Sequence, residues 1–176
     1  MKKIQMTNFG CDYSIENTAA AYVKKTNLFL DTIDKLGCIY YESDEERTIV
    51  FNYLGESFTA YILCDTDFVT ILDNSFEVLE GSDEDDKTKM REIVNDLNGI
   101  FDISVYYDVS KEDGSIHISA STKILFIEEI PEIDIYLKSI LNDFLRLKKK
   151  YWKQVGYIEC YKEYKDQCKF CAQRGQ

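Results

Sequence analysis

Hydrophobic and polar residues alternate along the middle of this chain in three short runs that follow one another closely. Residues 48–54, 57–64 and 68–73 show the two-residue period of β-strands. A Gly55-Glu56 pair, which has the Gly-X form of a hairpin turn, separates the first two runs. Strands joined by such short connections pair antiparallel, because parallel strands need a crossover of about a dozen residues. The runs therefore predict an antiparallel meander.

Helical periodicity surrounds this meander on both sides. Apolar residues recur at three- and four-residue spacing in segments that begin near Ser14, Ser82 and Pro131. The first helix is predicted to end at about residue 36 and the second at Gly99, because glycine commonly follows the last helical turn. The third is predicted to end at about Trp152. Three amphipathic helices are therefore expected to cover the sheet.

A second pair of strands lies between the second and third helices. Residues 101–109 and 115–128 alternate cleanly, and Asp113-Gly114 provides a turn between them. With a short β-type piece at 38–42 ahead of the meander, the main elements follow the order α-β-β-β-α-β-β-α. The prediction is an α+β fold, with an antiparallel sheet of about five strands and three helices. One domain is expected at 1–152, followed by a basic tail rich in tyrosine, lysine and cysteine at 153–176.

Several of these motifs together resemble a known family. They are the hairpin from Ile49 to Phe58, the acidic second helix ending in Leu97-Asn98, and the Asp113-Gly114 turn. The arrangement, over about residues 14–150, resembles the YbjN family, whose fold is that of type III secretion chaperones. The resemblance implies a small non-enzymatic protein that binds other proteins, often as a homodimer, in a sensory or regulatory role. It implies no catalytic residues and no cofactor.

Composition narrows the classes of partner. The formal net charge is −11, from 32 acidic and 21 basic residues, and such a surface repels nucleic-acid backbones and anionic lipids at long range. No apolar run approaches the roughly 20 residues that a membrane span needs, and no apolar segment follows the first lysines. The six cysteines are scattered, which is typical of reduced thiols. We expect a cytoplasmic protein that binds neither nucleic acid nor membrane and has no structural disulfide.

The end of the chain suggests an alternative function. Residues 146–176 carry nine basic and three acidic residues, so this segment could fold back on an acidic body, recruit an acidic partner or extend as a solvated helix. Cys168 and Cys171 form a C-x-x-C, and Cys160 precedes them, so three thiolates could begin a zinc or redox site. A fourth ligand is missing, because His117 is the only histidine and lies on a predicted strand. The alternative is a cysteine-dependent metal or redox role.

The outward positions of the predicted strands indicate an interaction surface. They are rich in tyrosine, serine and threonine, which supply contact area and adaptable hydrogen bonds at interfaces. The ordinary alternative is a solvated or helix-covered sheet face. No G-x-S-x-G, P-loop or dinucleotide-binding glycine pattern occurs, so we expect no enzyme. The predicted function is a protein-binding module, chaperone-like or regulatory and homodimeric, whose partner-binding residues are Thr59, Tyr61, Ser104, Tyr106, Ser119 and Ser121.

Overall fold

A computed structural model gives the architecture of the chain. It describes residues 13–43, 48–63, 66–73, 76, 78–79 and 84–173, with side chains for 19–41, 48–63, 66–73, 76 and 84–156. Ser82, Cys11 and Cys64, which entered the predictions above, lie outside the described residues. The elements are α1 Tyr13–Lys35, β1 Ile39–Ser43, β2 Thr48–Tyr53, β3 Glu56–Ile62, β4 Phe68–Asp73, β5 Val78–Leu79, α2 Glu84–Ile100, β6 Ser104–Val109, β7 Ile116–Leu125 and α3 Ile133–Gln173.

All the described strands form one antiparallel sheet, which confirms the predicted α+β fold. The strands follow one another as β1-β2-β3-β4-β7, and β7 pairs with β6 along its other edge and with the short β5 beyond β4. The described part of the chain has seven strands, against the five predicted. The two additional strands are β1, read only as a short piece, and β5, whose two residues are too few to show an alternation.

The three helices lie on one face of this sheet. α3 contacts both α1 and α2, and aromatic side chains join the layers. Phe29 of α1 lies edge-on to Phe51 of β2, with ring centroids 5.7 Å apart. Phe144 of α3 packs in the same way against Phe58 of β3, at 5.4 Å. Edge-to-face contacts of this kind stabilise a core beyond the apolar area that they bury. The helices therefore leave the opposite face of the sheet uncovered by any described element.

The turn between β2 and β3 differs from the predicted one. Leu54 and Gly55 are its central residues, with φ angles of 50° and 91°, so the hairpin has the positive φ values of a type I′ turn. The predicted Gly55-Glu56 turn is wrong by one residue. Leucine seldom adopts positive φ, because its Cβ approaches the following carbonyl oxygen. Sequence alone therefore favoured a turn that placed only glycine in this conformation.

Two helix ends also differ from the predictions. Gly99 lies inside α2, which continues to Ile100. α3 begins two residues after Pro131 and runs past Trp152 to Gln173, and Val155, which is 5% exposed, still belongs to the core. The division of the chain into 1–152 and 153–176 stays a prediction. None of the helices in the described part of the chain combines the length and apolar content needed to cross a bilayer.

A buried lysine connects α3 to the meander. The Nζ atom of Lys148 lies 2.5 Å from Oε2 of Glu56, at the start of β3, and 3.7 Å from Oδ1 of Asp73, at the end of β4. The Asp73 side chain is 1% exposed and that of Lys148 is 9% exposed. Charges this deeply buried need a partner, since the interior solvates them poorly. The contact holds the meander against α3 and so keeps the uncovered face in place.

Candidate functional site

The candidate site is the face of the sheet opposite the helices, here called the open face. Residues that pair directly across strands point to the same side, so the register of β1 to β4, β6 and β7 assigns twenty positions to this face. They are Ile39, Tyr41, Ser43, Thr48, Val50, Asn52, Ser57, Thr59, Tyr61, Phe68, Thr70, Leu72, Ser104, Tyr106, Asp108, His117, Ser119, Ser121, Lys123 and Leu125. Only Asp108 and Lys123 are acidic or basic, whereas 30% of the whole chain is.

The six residues predicted to bind a partner all lie on the open face. Thr59 is linked through Leu72 to Ser121, which pairs with Ser104, so these side chains form a row across β3, β4, β7 and β6. Tyr106 pairs with Ser119 beside this row. Their accessibility differs. Tyr61 and Tyr106 are 39% and 54% exposed, whereas Thr59, between Val50 and Leu72, is only 7% exposed. The two tyrosines therefore offer a partner far more surface than Thr59 does.

The phenol of Tyr106 lies near the hydroxyl groups of two serines. The hydroxyl groups of Ser104 and Ser121 hydrogen-bond to it and lower the pKa of Tyr106, because such bonds favour the charged form of the phenol. Ser121 faces Ser104 across the β6–β7 pair, so the two hydroxyls approach Tyr106 from adjacent strands. Tyr106 therefore presents its phenol beside serine hydroxyls on the open face.

The structure adds four exposed apolar residues, Ile39, Tyr41, Phe68 and Leu125, to the predicted Tyr61 and Tyr106. Six of the eleven large hydrophobic side chains that are exposed in the described chain lie on the open face: Ile39, Tyr41, Tyr61, Phe68, Tyr106 and Leu125. Phe68 and Leu125 pair directly, and the Lys123 ammonium lies 4.9 Å above the Phe68 ring. Alternation in β1 would have identified Ile39 and Tyr41, and the strand register identifies Phe68 and Leu125. A face with this composition differs from an ordinary solvated surface.

The surroundings of His117, the only histidine, do not fit the role of a catalytic base. Nε2 of His117 lies 3.1 Å from the Ser115 hydroxyl. That hydroxyl in turn donates to Oδ1 of Asp113, at 2.8 Å. Bonds to the hydroxyl of Ser110, then to the backbone and hydroxyl of Ser115, hold the pKa of Asp113 at about 2. A nucleophilic serine must direct its proton toward the base, whereas Ser115 directs its proton toward a carboxylate. The group is explained as a cap of the β6–β7 turn.

The cysteines of the alternative function are only partly described. Cys160, Cys168 and Cys171 all lie within α3, but their side chains fall outside the described residues. Cys38 is buried, and burial raises the pKa of its thiol, which keeps it protonated and unreactive. Among the side chains that the structure describes, no group of three histidine, cysteine or acidic residues could hold a metal ion. The C-terminal metal or redox site stays a prediction.

Grooves also lie beside the helices, and two of them are lined by charged residues. One, of about 410 Å³, lies where α1 approaches the residues that follow β7, and an ion pair of 2.8 Å between Lys24 and Glu128 crosses it. The hydrogen bond and charge of Glu128 raise the pKa of Lys24. The other, of about 480 Å³, lies between α2 and α3 and is lined by charges of both signs, including Asp96 and Lys150. Lysines and carboxylates thus line both grooves.

Comparisons with known proteins find a similar fold. No protein-family model matches the chain, and no curated protein matches it by sequence. Among solved structures, the crystal structure of YbjN from E. coli, a proposed transcription regulator, matches with a TM-score of 0.50 and 8% sequence identity. The match covers 75% of this chain and 92% of YbjN. At this identity the likeness concerns the fold alone. The chain therefore has a YbjN-like α+β fold, as its hairpin and turn motifs predicted.

Proposed function

We propose that this chain is a non-enzymatic protein-binding module, chaperone-like or regulatory, which holds a polypeptide partner on its open face. The observation that carries the proposal is the composition of that face. Two of its twenty positions are acidic or basic, in a chain whose net charge is −11. Interface centres are depleted in charged residues and enriched in aromatic ones, because each charge must lose its water on binding.

The distribution of side chains on the open face also suits a polypeptide. Apolar groups lie on the edge strand β1, at Ile39 and Tyr41, and on the inner strands β4 and β7, where Phe68 pairs with Leu125. Hydroxyl side chains, such as that of Ser121, lie on the same face and can bond to main-chain groups of a partner. The acidic remainder of the surface repels other acidic macromolecules. We therefore propose a protein partner rather than a nucleic acid.

Mutation of the two exposed tyrosines tests the face. Tyr61→Ala with Tyr106→Ala removes aromatic side chains that are 39% and 54% exposed. The matched control is Ile135→Ala with Trp152→Ala, which removes side chains of 56% and 46% exposure from α3. Affinity capture of the full chain from its native cell, quantified by mass spectrometry, should show partners retained by the control and lost by the tyrosine variant. An unchanged set of partners with both variants would refute the role of the open face.

A homodimer in the cytoplasm is part of the same proposal. It follows from the resemblance to secretion chaperones, and the strong net charge of each chain would oppose it at low ionic strength. Sedimentation equilibrium at physiological salt should give twice the chain mass of 20.6 kDa. A mass of one chain at all concentrations up to 100 µM, chosen to exceed about a micromolar Kd by two orders of magnitude, would exclude the dimer and leave the binding face standing.

A further inference from the structure

The two outer edges of the sheet differ in how their backbone groups are satisfied. At the β6 edge, Oδ1 of Asn98 accepts a hydrogen bond of 2.7 Å from the Val105 N–H. Nδ2 of the same residue donates to the Val105 carbonyl oxygen, at 3.0 Å. One amide side chain of α2 thus makes the pair of bonds that a neighbouring strand would make. Covering an edge in this way prevents another strand from pairing with it.

The β1 edge has no equivalent cover among the described residues, and β1 is the last strand of the sheet on that side. The hairpin turn determines which backbone groups face outward there. A two-residue turn closes on a hydrogen-bonded pair, here Tyr53 and Glu56. The direction of the backbone groups reverses at each residue of β2. Val50, three residues before Tyr53, therefore directs its N–H and C=O away from β3 and toward β1. Its partner on β1 is Tyr41, which therefore bonds to β2.

Because backbone direction alternates along a strand, the residues on either side of Tyr41 point their groups away from the sheet. The N–H and C=O of Tyr40 and Glu42 thus form the free edge. Beside them, Ile39 and Tyr41 are 77% and 62% exposed on the open face. A strand added at this edge would extend the open face and would place every second side chain against these two residues.

The charge around β1 indicates the chemistry of the added strand. Residues 42–47, which follow Tyr41 along the chain, contain four acidic residues and one basic residue, so they favour a basic segment. A second copy of this chain would bring the same acidic segment to the contact. It would also offer only a five-residue strand, whose burial falls far below the roughly 1,600 Å² typical of a stable interface. A short basic peptide fits both observations better, because main-chain bonds contribute most of the affinity in strand addition.

We propose that the β1 edge binds an extended, basic segment of the partner polypeptide by strand addition, with apolar residues at alternate positions facing Ile39 and Tyr41. This inference rests on the proposed function and names the binding mode of the same partner. The segment pairs with the backbone of Tyr40 and Glu42 and continues the open face by one strand. At the β6 edge, an added strand would first have to displace Asn98 from Val105.

The test uses the full chain and a fluorescein-labelled peptide of sequence KVTVKVTK as the probe. Glu42→Pro removes an outward N–H, which an edge strand tolerates, and Glu42→Ala is the matched control that loses the same carboxylate. Fluorescence anisotropy should give at least tenfold weaker binding for the proline variant than for the alanine variant. The charge-reversed peptide EVTVEVTE should also bind at least tenfold more weakly to the unmodified chain. Hydrogen exchange on the unmodified chain needs no variant, and the peptide should slow it at the Tyr40 and Glu42 amides.

Any of three results would overturn the proposal. The first is no binding of KVTVKVTK at 1 mM, a concentration at which even weak binding is detected. The second is equal affinity of the two Glu42 variants for the peptide, and the third is unchanged exchange at the Tyr40 and Glu42 amides in saturating peptide. These results are distinct from failure of the proposed function. If the Tyr61/Tyr106 double variant loses its partners while Glu42→Pro binds the peptide normally, the open face acts without the edge. If the double variant keeps all its partners while Glu42→Pro loses the peptide, the edge acts without the two tyrosines.

Discussion

Replacement of Asn98 by alanine is a direct test of how this sheet closes its β6 edge. The side-chain amide of Asn98 makes two hydrogen bonds with the backbone of Val105, at 2.7 and 3.0 Å. Val105 is 3% exposed, so the Asn98 side chain shields from water the N–H and C=O that the substitution would leave without these bonds. Each such bond contributes about 0.5–1.5 kcal/mol net. The expected loss of folding free energy is therefore about 1–3 kcal/mol.

A control is needed because alanine favours helices. Replacing asparagine by alanine inside a helix stabilises it by about 0.5 kcal/mol, and this gain would hide part of the loss. Asn95 is exposed on the same helix, three residues earlier. Its side chain makes no bond to the β6 backbone like those of Asn98 among the described residues. Asn95→Ala therefore reports the helix effect alone. The free energy of the edge is the difference between the two variants.

Urea unfolding followed by circular dichroism measures both variants, and thermal unfolding provides a second readout. For a chain of this size, each kcal/mol corresponds to about 2–4 °C in Tm. Asn98→Ala should also self-associate as concentration rises, since it exposes an unpaired strand edge. If the free energies of unfolding of Asn98→Ala and Asn95→Ala agree within about 0.5 kcal/mol, the limit of most surface substitutions, the reasoning about the edge is wrong.

The remaining predictions concern stability. Leu54 is 74% exposed with a φ of 50°, so Leu54→Asn should stabilise the fold by about 0.5–1 kcal/mol in urea unfolding, and a loss would contradict the strain. Asp113 has a pKa of about 2, lowered mainly by the Ser110 hydroxyl. The stabilising effect of its carboxylate should therefore be complete above pH 4 and should disappear as the pH falls toward 2. A carboxyl NMR titration with a midpoint near 4 would refute this. Lys148→Met should cost about 3–5 kcal/mol, because it removes the ammonium group beside the buried Asp73 carboxylate. A loss of less than about 1 kcal/mol, the scale of an exposed ion pair, would contradict the ionic account.

The parts of the fold that depend on local periodicity could be predicted from the sequence. The alternation in β6 and β7 placed Ile116, Ile118 and Ala120 inward, and all three are buried. The hairpin turn was misplaced because Leu54 adopts a conformation that leucine rarely takes. The part of α3 beyond Trp152 was not predicted, because the apolar stripe of the helix weakens there. Helix propensity does not depend on such a stripe.

The candidate site was predicted in part for a similar reason. A period of two is sufficient to put Tyr61 and Tyr106 on the same side of the sheet as the serines, and the register agrees. It does not report accessibility, which depends on neighbouring strands. Thr59 therefore seemed as available as Tyr61, although it is 7% exposed. Selection by tyrosine and serine content also passed over Phe68 and Leu125, which meet only when β4 and β7 pair.

The sequence does not show that the Asn98 side chain bonds to the β6 edge, although the Leu97-Asn98 dipeptide itself can be recognised. Leu97-Asn98 was noted as part of a family resemblance, and the structure gives each residue a separate physical task. Leu97 is fully buried in the core, while Asn98 closes the β6 edge. The two tasks need adjacent residues, because neighbouring positions of a helix point in different directions. A helix that packs beside an edge strand can thus bury one side chain and protect the strand with the next. This arrangement directs further strand pairing to the opposite, β1 edge, where the open face continues.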